Sequence, residues 1–199
     1  MKKFLRKLFH GSPKREPLNP EKTLKLLCEA RDIFVSLGKK MWITDGTLLG
    51  FHREGRFLSH DLDMDIACMI DEFDETIADT FVQRGWKLKR TLGEVDCGLE
   101  QTWVKNDTYL DIFYFYRDGD VLWHGAWRRD KQKGKRNLIR YEYRPFELAQ
   151  AEYMGASFPV PQDIEGYVTQ KYGKDWRTPR KQWDWALDPE NARETDIWR

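Results

Sequence analysis

The chain has 199 residues, of which 40% are hydrophobic and 34% charged, and its formal charge is +1. This length and composition fit a soluble globular protein and exclude a disordered or fibrous one. The near-neutral balance gives no global electrostatic drive towards nucleic acid, and no apolar run is long enough to span a bilayer. The first residues lack the unbroken apolar core of a secretion signal, so the expected location is the cytoplasm. Cys28, Cys68 and Cys97 are odd in number and scattered without metal-ligand spacing, which fits reduced thiols.

Residues 1–18 read as a basic amphipathic N-terminal segment. Lys2, Lys3, Arg6, Lys7, Lys14 and Arg15 occur with no acid among residues 1–15, and Phe4, Leu5, Leu8 and Phe9 recur at helical spacing. Such a segment can rest peripherally on the anionic inner face of a membrane; the competing reading is a frayed terminus or a helix docked on the body. Residues 19–199 are expected to form one domain. Asn19-Pro20-Glu21 is a helix-start signature, and Leu24, Leu27, Ala30, Ile33, Phe34 and Leu37 make one apolar stripe that Gly38 ends. Residues 41–44 read as a short buried strand, and Asp45-Gly46-Thr47 as a turn into a brief helical segment through Arg53. A second strand covers residues 64–70. Asp71 is expected to cap a helix with Phe73, Ile77 and Phe81 on one face, stopped by Gly85.

Beyond that the pattern becomes extended. Residues 86–91, 95–105, 108–116 and 121–127 read as successive strands of a mostly antiparallel meander, broken at Asn106-Asp107 and Asp118-Gly119. Residues 128–136 read as a charged loop, 137–143 as a returning strand, 161–172 as a helix, and the Trp-rich tail from Trp176 as a wrap around the body. The sum is an α+β fold: helices packed against a mixed sheet with an antiparallel meander.

The densest chemical signal is SHDLDMDIACMI, residues 59–70. Side chains alternate along a strand, so Asp61, Asp63 and Asp65 share one face, while Leu62, Met64, Ile66, Cys68 and Ile70 share the other. Carboxylates two residues apart lie roughly 6 to 7 Å apart at Cα, close enough to share a cation and unfavourable when bare. A hard divalent ion such as magnesium, or manganese in its place, suits all-oxygen ligands and leaves positions for substrate phosphates. Asp111 is a lone acid in the apolar run TYLDIFYFY, where it is costly unless it faces something positive. If its strand runs beside that of Asp63 and Asp65, the carboxylates converge on one metal site; otherwise Asp111 meets an Arg or caps an edge. Gly46 and Thr47, between a strand and a helix, offer a close backbone approach and free amides for a phosphate.

At GTLLGFHREGRFLSHDLDMDIA the sequence resembles the LicD and fukutin-related family of the nucleotidyltransferase superfamily. The residues that carry this are Gly46-Thr47-Leu48-Leu49-Gly50, Arg53, Gly55, Phe57-Leu58 and Asp61-Leu62-Asp63-Met64-Asp65. Leu110-Asp111-Ile112-Phe113 is similar to the family's third-acid strand, and residues 160–179 to its closing segment. The resemblance runs from about residue 20 to about residue 180. His60 stands where the family often has Trp, Leu62 where another Asp is common, and Phe51-His52 where smaller residues are usual.

The resemblance implies a nucleotidyltransferase-like fold and transfer of a phosphorylated alcohol, such as phosphocholine or ribitol phosphate, from a CDP-linked donor to a glycan or glycolipid, with release of CMP. Asp63, Asp65 and Asp111 would be catalytic residues and metal ligands, Asp111 also helping to deprotonate or orient the attacking hydroxyl. Gly46 and Thr47 would hold phosphates, and Arg53 would neutralise charge, since a planar guanidinium grips phosphate bidentately. Trp123, His124, Trp127, Arg128 and Arg129 are a candidate sugar or choline platform, with ordinary strand packing as the competing reading. His60 is read as a proton carrier or as an orienter of Asp61. Two other functions fit less of the pattern: AMP or CMP transfer to a small molecule or protein, and a regulatory scaffold that has lost activity.

Overall fold

A computed structural model describes residues 15–199. Of the basic amphipathic segment expected at the N-terminus, residues 1–14 lie outside the described residues. Helix α1, Pro20–Ser36, starts where Asn19 caps it, its side chain accepting from the Lys22 amide at 3.0 Å. Its buried stripe is Thr23, Leu26, Leu27, Ala30, Ile33 and Phe34. Strand β1, Trp42–Ile43, leads through Thr44 into helix α2, Asp45–Glu54, so the expected turn at Asp45 is already the first turn of helix.

Strand β2 is Asp63–Met69. A short 3-10 turn, Ile70–Glu72, follows, then helix α3, Glu75–Gln83. The cap of α3 is therefore Asp74 and not Asp71: Asp74 has the extended backbone an N-cap needs, and its carboxylate accepts from the Thr76 amide at 2.8 Å. Phe34 of α1 and Phe81 of α3 meet edge to face at 6.3 Å, and Phe81 lies 5.0 Å from Trp103, which ties both helices into the sheet's core.

The meander is built from β3 (Lys87–Glu94), β4 (Cys97–Lys105), β5 (Thr108–Asp118), β6 (Val121–Asp130) and β7 (Lys135–Tyr143). The charged stretch expected to be a loop is mostly strand. Pairing between β6 and β7 continues to Asp130 opposite Lys135, and the Asp130 carboxylate closes the turn by accepting from the amides of Gln132 and Lys133. One opposite-charge pair, Asp130 across from Lys135, and an Asp-led turn thus close a hairpin whose composition suggests only solvated surface.

Three strands carry no clear signal in the sequence. Strands β8 (Leu148–Tyr153) and β9 (Ala156–Pro161) form a separate hairpin, and β10 (Ala192–Trp198) adds the end of the Trp-rich tail to the edge of the main sheet beside β7. Because Pro161 closes β9, helix α4 starts only at Ile164, capped by Asp163, and runs to Tyr172.

The large sheet is mixed. β5 pairs in parallel with β2 along one edge; along its other edge it pairs with β4 through residues 108–113 and with β6 through residues 115–118, both antiparallel. The pleat sorts the central strands: Met64, Ile66, Cys68, Leu110, Ile112 and Tyr114 are fully buried in the core, whereas Asp63, Asp65 and Asp111 point to the opposite face. Leu62, placed with the core set on sequence pattern, is exposed because it precedes the first strand residue. Among the described residues no helix is long and apolar enough to cross a membrane, and Cys28, Cys68 and Cys97 are free thiols.

Candidate active site

The face of β2 and β5 that turns away from the core forms one wall of a cavity of about 530 Å³. The parallel register sets Asp65 directly beside Asp111, with Asp63 two residues back on the same face. Asp61 arrives from the loop before β2, and its carboxylate and that of Asp65 both approach Gly46: a Cβ added there would lie 3.1 Å from Asp65 Oδ2 and 3.4 Å from Asp61 Oδ2. Gly46 thus keeps clear the space in which the two acids meet.

The start of α2 is locked to β2 by a reciprocal clasp. The Asp65 amide donates to Thr47 Oγ1 at 2.8 Å, and the Thr47 amide donates to Asp65 Oδ2 at 3.3 Å. Thr47 is fully buried and does not line the cavity, so its contacts position Asp65. Gly46 does line it.

Arg53, on the last turn of α2, is turned back over the cavity. Its guanidinium donates to the Trp176 carbonyl at 3.2 Å, pairs with Glu54 at 3.0 Å, and offsets the charge of Asp61. His60 sits exposed at the cavity rim. Trp123 lies elsewhere: on β6 it alternates with the cavity-facing His124, stacks on Tyr116 at 4.5 Å and carries Arg140 at 4.7 Å. Arg128 also lies off the lining, turned towards Asp184 at 3.9 Å, while its neighbours Trp127 and Arg129 line the cavity.

Burial and crowding dominate the electrostatics. Asp61 is raised to about 7 by burial and then by Asp63, and Asp111 to about 6 by the same two causes. Asp65 is pushed well above the usual carboxylate range, first by burial and then by Asp63, Asp45, Asp111 and Asp61. Burial also raises Asp63, with Arg15 opposing it: one guanidinium nitrogen of Arg15 is 2.6 Å from Asp63 Oδ2 while the group lies 4.0 Å over the Tyr109 ring. A cation from the N-terminal stretch thus already answers part of the acid crowd.

Three features have only a faint trace in the sequence. Glu100 on β4, 4% exposed, pairs with Arg90 at 2.6 Å and faces Asp111, which with burial raises it to about 7. Asp45, whose backbone is in the left-handed region at φ 45°, forms a buried ion pair with Lys171 of α4 at 2.6 Å. Burial alone would raise Asp45, yet Lys171 and the other neighbours bring its carboxyl below the ordinary value. His124 completes this group: it is fully buried, stacked on Tyr141 at 4.9 Å, and held neutral by burial, its pKa lowered to about 3. The Asp-Gly pair hinted at a special backbone at Asp45; nothing local to Lys171 or His124 indicates that they join it.

The donor set fits a hard divalent cation. All the acids offer oxygen, and Asp61 Oδ2 and Asp111 Oδ1 are buried with no hydrogen-bond partner among the described residues. Among those residues no three His, Cys, Asp or Glu side chains close into a ready-made cage, so substrate oxygens and water would have to complete the coordination.

Acids on two parallel neighbouring strands, with a glycine-led helix start beside them, define a nucleotidyltransferase-like α+β protein. Residues 38–163 match the family model described as LicD/FKTN/FKRP, nucleotidyltransferase domain, and the chain belongs to that family. It is 33% identical over 175 residues to the ribitol-5-phosphate transferase FKTN of Mus musculus and 31% identical over 175 residues to that of Homo sapiens, the match covering 87% of this chain and 37% of each relative. An uncharacterized Caenorhabditis elegans protein is 29% identical over 189 residues, 86% of this chain and 47% of its own. The chain therefore spans little more than a third of the curated transferases it matches.

Proposed function

We propose that the chain is a divalent-metal-dependent transferase that moves a phosphorylated alcohol, ribitol 5-phosphate by analogy with its named relatives, from a CDP-linked donor to a hydroxyl of a glycan. The observation that carries this is the β2–β5 register, which brings Asp111 beside Asp65 and turns both, with Asp61 and Asp63, into one cavity. Asp63, Asp65 and Asp111 would hold magnesium or manganese, which when bound neutralises pyrophosphate charge and favours departure of CMP.

The protein's own part is mostly positioning and charge. The acceptor hydroxyl oxygen forms a bond to the phosphorus that carries the alcohol, the P–O bond to CMP breaks, and the hydroxyl proton passes to a carboxylate. Glu100 suits that last task, because a basicity near 7 lets it accept a proton close to neutral pH, while Asp111 helps to orient the hydroxyl. Arg53 is placed to grip a donor phosphate, and the Thr47 clasp holds Asp65 in line. His60, at the rim, is free to shuttle the proton out.

The test is donor preference. In magnesium, CDP-ribitol should raise the melting temperature of the protein and release CMP when a glycan acceptor is added, with CDP-choline, CTP and ATP as comparators. A response to ATP or CTP above either CDP-alcohol would favour nucleotidyl transfer, the activity the family model's domain name suggests.

A further inference from the structure

A second cavity, of about 460 Å³, opens beside the first and shares Trp127, Arg129 and Arg136 with it. Its remaining lining is Leu92, Gly93, Gly134 and Arg199, so three arginines face it and no acid does. The row follows from strand register. Arg129 on β6 lies directly opposite Arg136 on β7, and the Arg199 amide in turn donates to the Arg136 carbonyl at 2.9 Å, just past the end of β10. Like charges placed opposite one another on a sheet repel, so such a row calls for an anion between the side chains.

The acids nearby supply it only at Arg199. Arg199 has Glu94 at 2.6 Å, itself largely exposed, and lies 5.5 Å over the Trp127 ring. Among the described residues Arg129 and Arg136 have no ion-pair partner within 4.0 Å; Arg136 donates to the Trp127 carbonyl at 3.3 Å, and its charge partly offsets that of Glu100. Planar guanidinium forks suit the oxygens of a phosphate.

We propose that Arg129, Arg136 and Arg199 form a second oxyanion site, separate from the aspartates, that takes a phosphate group other than the one transferred. The site itself stands without the transferase reading. That reading only supplies two sources for the anion, a phosphate ester borne by the acceptor or a nucleotide phosphate.

Titrating inorganic phosphate into the full chain in EDTA, followed by calorimetry, separates this site from any metal-held phosphate. Saturable binding is expected, weakened about tenfold in R129Q and in R136Q, each folded by its melting curve, and unchanged or tighter in D63N. Glucose 6-phosphate displacing the phosphate while CMP does not assigns the site to an acceptor ester; the reverse assigns it to the nucleotide. Binding that survives both arginine variants, that weakens in D63N, or that neither competitor displaces overturns the proposal. Loss of CDP-ribitol turnover in D63N with phosphate binding intact leaves the two readings independently tested.

Discussion

The two walls of the main cavity are built on opposite principles. The acid wall, from β2, β5 and the start of α2, is made of short side chains on paired strands whose direction is set by backbone hydrogen bonds and by the Thr47 clasp. The facing wall comes from the ends of β6 and β7 and the segment 176–185, where Trp127, Trp176, Trp183 and Trp185 alternate with Arg129, Arg136 and Arg180. Long arginine stems and flat rings adapt to a ligand; carboxylates fixed on adjacent strands do not. Rigidity where charge must be placed within a fraction of an ångström, and adaptability where shape is recognised, is the division expected of a transferase that works by positioning.

The contrast can be broken most sharply on the acid wall. Asp65→Asn or Asp63→Asn should lower CMP release on the order of 10³-fold, while the melting temperature in EDTA stays level or rises because like charges are relieved. Full turnover in either variant would refute the assignment. Next comes the ion pair behind that wall: Lys171→Met leaves Asp45 buried and unpaired and should cost about 3 to 5 kcal/mol in urea unfolding. Adding Asp45→Asn should restore much of it, and an unchanged unfolding midpoint in the single variant would show that the pair is not what holds α4 to α2.

A pH series probes the same wall. Asp61, Glu100 and Asp111 hold protons more tightly in the folded protein than in the unfolded chain, with folded values of about 7, 7 and 6. Their contribution to stability is complete below about pH 4 and is lost as pH rises through 6 to 7. In EDTA the melting temperature should therefore decline from pH 5 to pH 8, and saturating magnesium should reverse the decline at the alkaline end. No pH slope that magnesium removes would argue against a cation at these acids.

On the adaptable wall effects should be smaller. Trp183→Ala, which removes a cavity-lining ring that leans on Tyr172 at 5.3 Å, should raise KM for donor or acceptor about threefold to tenfold with little change in kcat. Trp123→Ala, outside the cavity lining, should leave both constants unchanged and cost only about 1 kcal/mol from its lost Tyr116 and Arg140 contacts. A KM effect at Trp123 as large as that at Trp183 would erase the distinction between the cavity lining and the surface outside it.

Much of the acid wall was legible in the chain because its signals are local. Alternation in DMDIACM assigns the face of Asp63 and Asp65, and Asn19-Pro20 assigns the start of α1, since both rules act over a few residues. Where local rules compete, the sequence is ambiguous. Asp71 is the expected cap, whereas the extended backbone that a cap needs falls at Asp74, and a run of charges at residues 128–136 conceals a paired hairpin because strand pairing there depends on the partner strand and not on composition.

The sequence alone determined that aspartates two residues apart would share a face beside a glycine-led turn, because strand geometry leaves no alternative. Only the tertiary structure decided that Asp111 stands next to Asp65, that Lys171 and His124 gather at Asp45 from distant elements, and that three arginines line up on β6, β7 and the chain beyond β10. Those meetings depend on strand order and register, which are fixed by burying the whole core at once and are written in no single stretch of chain.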